Sequence, residues 1–142
     1  FEDPLAGGNG NSMRFFQFAN CNHALQAQGC VDNMFCAGER AGAMVGHTEA
    51  VVTGSLAGRN AVLGACGRQL FTYPNELAVG DFVNHTTDDM KKDECRGTKY
   101  TFSGSVYFER MKQLGLYTCD LKEIKARADK LGVADIFAQK IC

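Results

Sequence analysis

Between Asn33 and Val62 the sequence reads NMFCAGERAGAMVGHTEAVVTGSLAGRNAV, and no other stretch limits the possible folds as tightly. Glycines at 38, 42, 46, 54 and 58 stand among acidic, basic and apolar residues, so the segment is not low-complexity. Residues 33–37 form a short apolar run, entered from polar residues and stopped by Gly38, which predicts a buried strand. A glycine-punctuated loop over 38–46 follows. A helix is then expected from His47 or Thr48, either of which serves as its cap, to about Cys66. Glu49 falls in its first turn, where an acid suits the helix dipole.

The helix carries small residues on one face, at Ala50, Gly54, Ala57, Gly58 and Ala61. A glycine inside a helix costs about 1 kcal/mol relative to alanine. Close approach of another backbone or of a flat ligand would offset that cost, and so would tight helix–sheet packing with no ligand. The preceding loop favours a ligand. A strand ends at Ala37-Gly38, an acid follows at Glu39, and Gly42 and Gly46 let the main chain pass close to something. The helix start at His47-Thr48 points its free N–H groups at the same place. Such a terminus suits a phosphate or the pyrimidine edge of a reduced flavin, and Glu39 suits sugar or ribityl hydroxyls. The candidate cofactor-binding residues are therefore Ala37, Gly38, Glu39, Gly42, Gly46, His47 and Thr48, with no catalytic residue and no metal ligand assigned. Plainer roles stand beside these: His47 as a capping residue, Glu49 as a helix-start acid, and Cys36 as an inert packed thiol. Arg40 is open between a surface cation and a phosphate partner.

Elsewhere the chain reads as turns and helices. Residues 1–12, with GGNG at 7–10, are turn-rich, and 13–19 have the aromatic content of a strand. A short helix or turn is expected over 23–28, and helices from about Pro74-Asn75 to Met90, over 105–114 and over 120–131. The last opens on a capping-box-like Asp120-Leu-Lys-Glu123 and lines Leu121, Ile124, Ala128 and Leu131 on one face. Gly115 and Gly132 close the two final helices, and 133–140 add a further short one. His85 and the run DDMKKDE read as a solvated helix end.

A formal charge of −1 gives no electrostatic case for nucleic acid or an anionic membrane. The apolar stretch 50–63 contains Arg59 and Asn60 and is too short to span a bilayer. Cysteines at 21, 30, 36, 66, 95, 119 and 142 show neither C-x-x-C nor a zinc-type ladder, and their odd number points away from a closed disulfide framework. They read as reduced thiols, some buried, which suits a cytoplasmic protein. The sequence opens at Phe1 rather than Met and is read as a portion of a longer polypeptide.

The stretch Asn33-Met34-Phe35-Cys36-Ala37-Gly38-Glu39, with Gly42, Gly46, His47, Glu49-Ala50, Gly54, Ala57-Gly58 and Asn60-Ala61, resembles a known motif. It is similar to the C-terminal flavin-contacting motif of the glucose-inhibited division protein A family, which includes folate-dependent tRNA uracil methyltransferases. Glu39 stands where that family usually has Gln, and His47 where it has Tyr. The resemblance covers residues 33–62. It implies bound FAD, reduced by NAD(P)H or reacting with a folate. The strand–G-x-G-x-x-G–helix unit that grips the FAD pyrophosphate is not in this sequence, and GGNG does not fit that context.

The expectation is thus an α/β fragment, mainly α. Residues 1–68 would be the C-terminal part of a Rossmann-like FAD-binding domain, ending in its last strand–loop–helix, and 69–142 a mainly helical tail or interface domain. Its function would be that of the C-terminal portion of an FAD-dependent oxidoreductase, completed by an upstream segment or a partner subunit, and oligomeric. The alternatives are part of a tRNA-modifying flavoenzyme, and a non-catalytic assembly subunit or remnant.

Overall fold

A computed structural model describes residues 20–29, 31–42, 44–92 and 98–141. The expected strand over 13–19 and the GGNG loop lie outside them. Four helices dominate: α1 (His47–Ala65), α2 (Ala78–Asp89), α3 (Ser105–Gln113) and α4 (Leu121–Lys130), with a 3-10 turn over Gly38–Arg40 before α1. Among the described residues, β pairing is limited to isolated bridges joining Cys21 to Ala27, Gln26 to Phe35 and Met44 to Tyr100. The mainly helical expectation holds. Residues 33–37, however, are not a buried strand: Asn33 and Met34 are exposed, and Phe35–Ala37 are half-buried. A strand is made by its neighbours, and among the described residues the one bridge this segment makes is that of Phe35 to Gln26.

Of the short helix or turn expected at 23–28, the loop there is the turn. The Asn22 Oδ1 accepts the N–H groups of Ala24 (3.0 Å) and Gln26 (3.1 Å), which gives the backbone an alternative to helical bonding. Leu25 sits within it at φ 62°, fully buried, a left-handed conformation that an apolar branched side chain rarely adopts.

α1 buries Glu49, Thr53, Leu56, Ala57, Asn60 and Leu63, a stripe with helical spacing. The small residues Ala50, Gly54, Gly58 and Ala61 lie on the exposed side instead. A Cβ added at Gly54 or Gly58 would meet nothing within 4 Å among the described residues. Asn60 is fully buried, and its carboxamide joins three segments: Nδ2 donates to the carbonyls of Ala24 (2.9 Å) and Phe71 (2.7 Å), and Oδ1 accepts the Phe71 N–H (2.8 Å). The helix ends in a Schellman motif. Gly67 is left-handed (φ 65°), its N–H bonds Gly64 O, and the Arg68 N–H bonds Leu63 O. Gly115 and Gly132 close α3 and α4 in the same way, as their positions predict.

α2 starts later than the Pro74-Asn75 signal suggests. The chain from Pro74 folds over its first turn, so closely that a Cβ on Gly80 would lie 1.9 Å from Pro74 O. Its Asp81 receives a two-pronged hydrogen bond from Arg110 of α3 (2.9 and 2.7 Å), and Tyr107 donates to Ala78 O at 2.6 Å. Phe82 stacks on Phe102 and meets Tyr107 edge-on. One apolar core includes Cys21 and Leu25 from the loop, Leu56 from α1, Phe82 and Val83 from α2, and Tyr107 from α3.

α4 is peripheral. Asp120 caps it by accepting the Lys122 N–H (2.8 Å), but none of its residues is buried and Leu121 is 80 % exposed. Residues 133–140 form turns rather than the expected short helix. Cys21, Cys36 and Cys119 are free thiols, whereas Cys66 is disulfide-bonded, which corrects the expectation of uniformly reduced cysteines.

Candidate functional site

Ala37, Gly38, Glu39, Arg40, Met44, Gly46 and Ala50 line one pocket of about 370 Å³. It lies where the 3-10 turn meets the start of α1. Gly38 is left-handed (φ 55°) and buried, and a Cβ there would find ordinary contact distance, so backbone conformation rather than space asks for glycine. Its N–H donates to Thr53 Oγ1 at 2.8 Å, and that hydroxyl donates to Glu49 O at 2.6 Å. The turn is thereby tied to the second helical turn of α1.

Gly46 caps α1 at φ 130°. A Cβ there would fall 2.2 Å from Glu49 Oε2, because the Glu49 side chain folds back over the cap. Glu49 is buried, and its Oε1 accepts the Phe102 N–H at 2.6 Å. The acid therefore links the helix start to the segment before α3. Nearby, Met44 pairs with Tyr100, whose carbonyl accepts the Val45 N–H (3.0 Å) and whose hydroxyl donates to Asp89 (2.8 Å). The pocket wall is braced by α2 and by the segment that leads into α3.

Ala37, Gly38, Glu39 and Gly46 of the expected set thus come together, with Arg40 beside them. Three do not. Gly42 packs against Met90, whose Cγ would be 2.5 Å from a Cβ at that position. His47 is exposed. Thr48 lines a different, apolar cleft of about 720 Å³ between the start of α1, residues 77–79, α3 and the turns after α4. Met44 and Ala50 were missed. Ala50 stands inside the motif, but Met44 looks like apolar filler in a loop and carries no signal of its own.

The first turn of α1 has N–H groups that no helix satisfies internally, and the Glu49 carboxylate folds back over this end. Glu39 contributes a carboxylate and Arg40 a guanidinium to the lining. Backbone, one acid and one base thus meet in this lining beside the apolar Ala37, Met44 and Ala50.

A second polar cluster lies at the end of α2. Asp89 is buried and accepts from Tyr100, Lys92 (2.6 Å) and His85 (3.2 Å). Burial pushes its carboxyl up, but the hydrogen bonds from Lys92 and Tyr100 outweigh this and hold it below the usual range. Burial lowers His85, against the pull of Asp89. The expected solvated helix end is thus a packed polar junction at these two residues. Sequence reading missed it because the Tyr100 that buries Asp89 arrives from outside the helix.

No curated protein and no solved structure matches the chain. A family model described as Glucose inhibited division protein A matches residues 8–69, a span that holds the whole pocket and all of α1. This segment of the chain is therefore GidA-like.

Proposed function

We propose that the chain is a portion of an FAD-dependent oxidoreductase, and that its pocket takes the ribityl chain and pyrimidine edge of the flavin. One observation carries this reading: the residues lining the pocket all fall inside the GidA-like segment, at the turn and helix start of its glycine motif. In this reading residues 33–65 derive from the last strand–loop–helix of a Rossmann-like domain. The pyrophosphate is held by residues outside this sequence, in an upstream segment or a partner subunit, since no strand–G-x-G-x-x-G–helix unit occurs within it.

The flavin, when bound, supplies two-electron redox chemistry, with NAD(P)H as the donor. In this reading Glu39 accepts hydrogen bonds from the ribityl hydroxyls, and the backbone at Gly38 and Gly46 forms the wall against which the flavin rests. The test is FAD retention by the complete protein and its Glu39→Ala variant. A charge-assisted hydrogen bond is worth roughly 1.5–3 kcal/mol, so the variant should lose affinity by about ten-fold or more. Unchanged affinity would remove Glu39 from the site.

A second reading, part of a tRNA-modifying flavoenzyme, is favoured by the family match alone. The near-neutral charge of this chain works against it. Binding of tRNA by the complete protein, weakening steeply with salt, would support it.

A further inference from the structure

Cys21 and Cys36 are distant in sequence but close in space: Cys21 lies in the apolar core, and Cys36 packs against that core with its thiol near enough to act on that of Cys21. The framework that brings them together is dense with backbone bonds. Cys36 N–H donates to Leu25 O and Ala27 N–H to Met34 O, each at 2.9 Å, while Cys21 bridges to Ala27. Asn22 closes the loop with its side chain, and Asn60 of α1 donates to Ala24 O from below. The left-handed Leu25, a conformation costing on the order of 1–3 kcal/mol, persists because these bonds over-determine it. The two segments that carry these thiols are therefore fixed against one another. They are also unlike: Cys21 is 2 % exposed, whereas Cys36 is half-buried and adjoins Ala37 and Gly38 of the pocket.

We infer that Cys21 and Cys36 form a redox-active dithiol, in which Cys36 meets a hydroperoxide oxidant and Cys21 resolves it to a disulfide. The Cys36 thiolate attacks one peroxide oxygen, the O–O bond breaks, and the departing hydroxide takes a proton to leave as water. Cys36 is then a sulfenic acid. The Cys21 sulfur attacks the Cys36 sulfur, the S–O bond breaks, and the second hydroxide leaves as water with the Cys21 proton. Two thiols and one hydrogen peroxide give one disulfide and two waters. Burial pushes the Cys21 thiol up to about 12, which makes it a poor first nucleophile and gives the first step to Cys36. This inference is independent of the flavin reading.

The full chain, treated with hydrogen peroxide, alkylated and digested without reduction, should yield a peptide linking Cys21 to Cys36. Cys36→Ser should abolish that link. Cys21→Ala should leave Cys36 as a sulfenic acid that dimedone traps. A second probe does not depend on the variants folding. Phenylarsine oxide, which condenses with two neighbouring thiols and releases water, should bridge Cys21 and Cys36 in the untreated protein. The exposed Cys119 thiol, bonded to the Tyr117 hydroxyl at 3.2 Å, is the internal comparison. Oxidation confined to Cys119, or Cys36 oxidised with Cys21 still alkylatable after unfolding and no arsenical bridge, would overturn the assignment.

Discussion

Asn60 shows how one polar side chain can fix a fold. Its carboxamide is fully buried and makes three hydrogen bonds to main-chain groups of Ala24 and Phe71. Replacement by Leu keeps the volume roughly but strands those groups without water. Each such buried group costs about 1–3 kcal/mol when orphaned, so Asn60→Leu should lower stability by roughly 2–4 kcal/mol. A shift of the urea midpoint at unchanged slope would register it, and a shift near zero would mean that the loop relaxes freely. The motif Asn60-Ala61 was legible in the sequence, but its role was not, because both of its partners are main-chain groups and carry no residue signature. Gly46 is similar. Its need for glycine comes from a backbone at φ 130° and from the returning Glu49 carboxylate, neither of which one-dimensional spacing reveals.

Among the elements, α1, α3 and α4 were the most readable, because periodicity and a following left-handed glycine are both local. The expected buried strand failed because pairing is not local: among the described residues Phe35 finds one bridge partner, Gln26, and no sheet. The small-residue face of α1 was expected to be packed, yet Gly54 and Gly58 look outward. Alanine at either position adds helix propensity without a clash, so each single substitution should stabilise the isolated chain by about 0.5–1 kcal/mol. In the complete protein the same substitutions should weaken flavin retention if this face receives another backbone. Retention unaffected by both would mean that the face is simply open. At the other end of α2, His85 and Asp89 make stability depend on pH in one direction. His85 is lowered from 6.5 by burial, so the unfolded chain takes up its proton first, and stability falls as pH drops through 6.5 toward the folded value. Asp89 is lowered from 3.8, so its contribution is intact above 3.8 and is lost as pH falls further, through its folded value. Unfolding midpoints across this range should decline in two stages, and His85→Gln should remove the upper one. A single stage near 3.8 in the parent would contradict the assignment to His85.

On the scale of the whole molecule, the glycine segment and the helical tail meet. The core joins the loop at Cys21 and Leu25 to α1, α2 and α3, and the pocket wall at Met44 is held through Tyr100 to Asp89. The tail therefore supports the turn that carries Gly38 and Glu39 rather than trailing from it. Its own sequence gave little warning of this, since Tyr100 and Phe102 sit in a non-helical stretch whose contacts are long-range. The family match covers the segment that forms the pocket and stops before α2, so the support comes from residues outside the matched span. The central claim is that this pocket contacts a flavin, and the most direct measurement is the flavin content of the protein isolated from its own cells. Denaturation should release FAD in a ratio of about one per chain. Protein that is folded, carries no flavin and fails to take up added FAD would contradict the account.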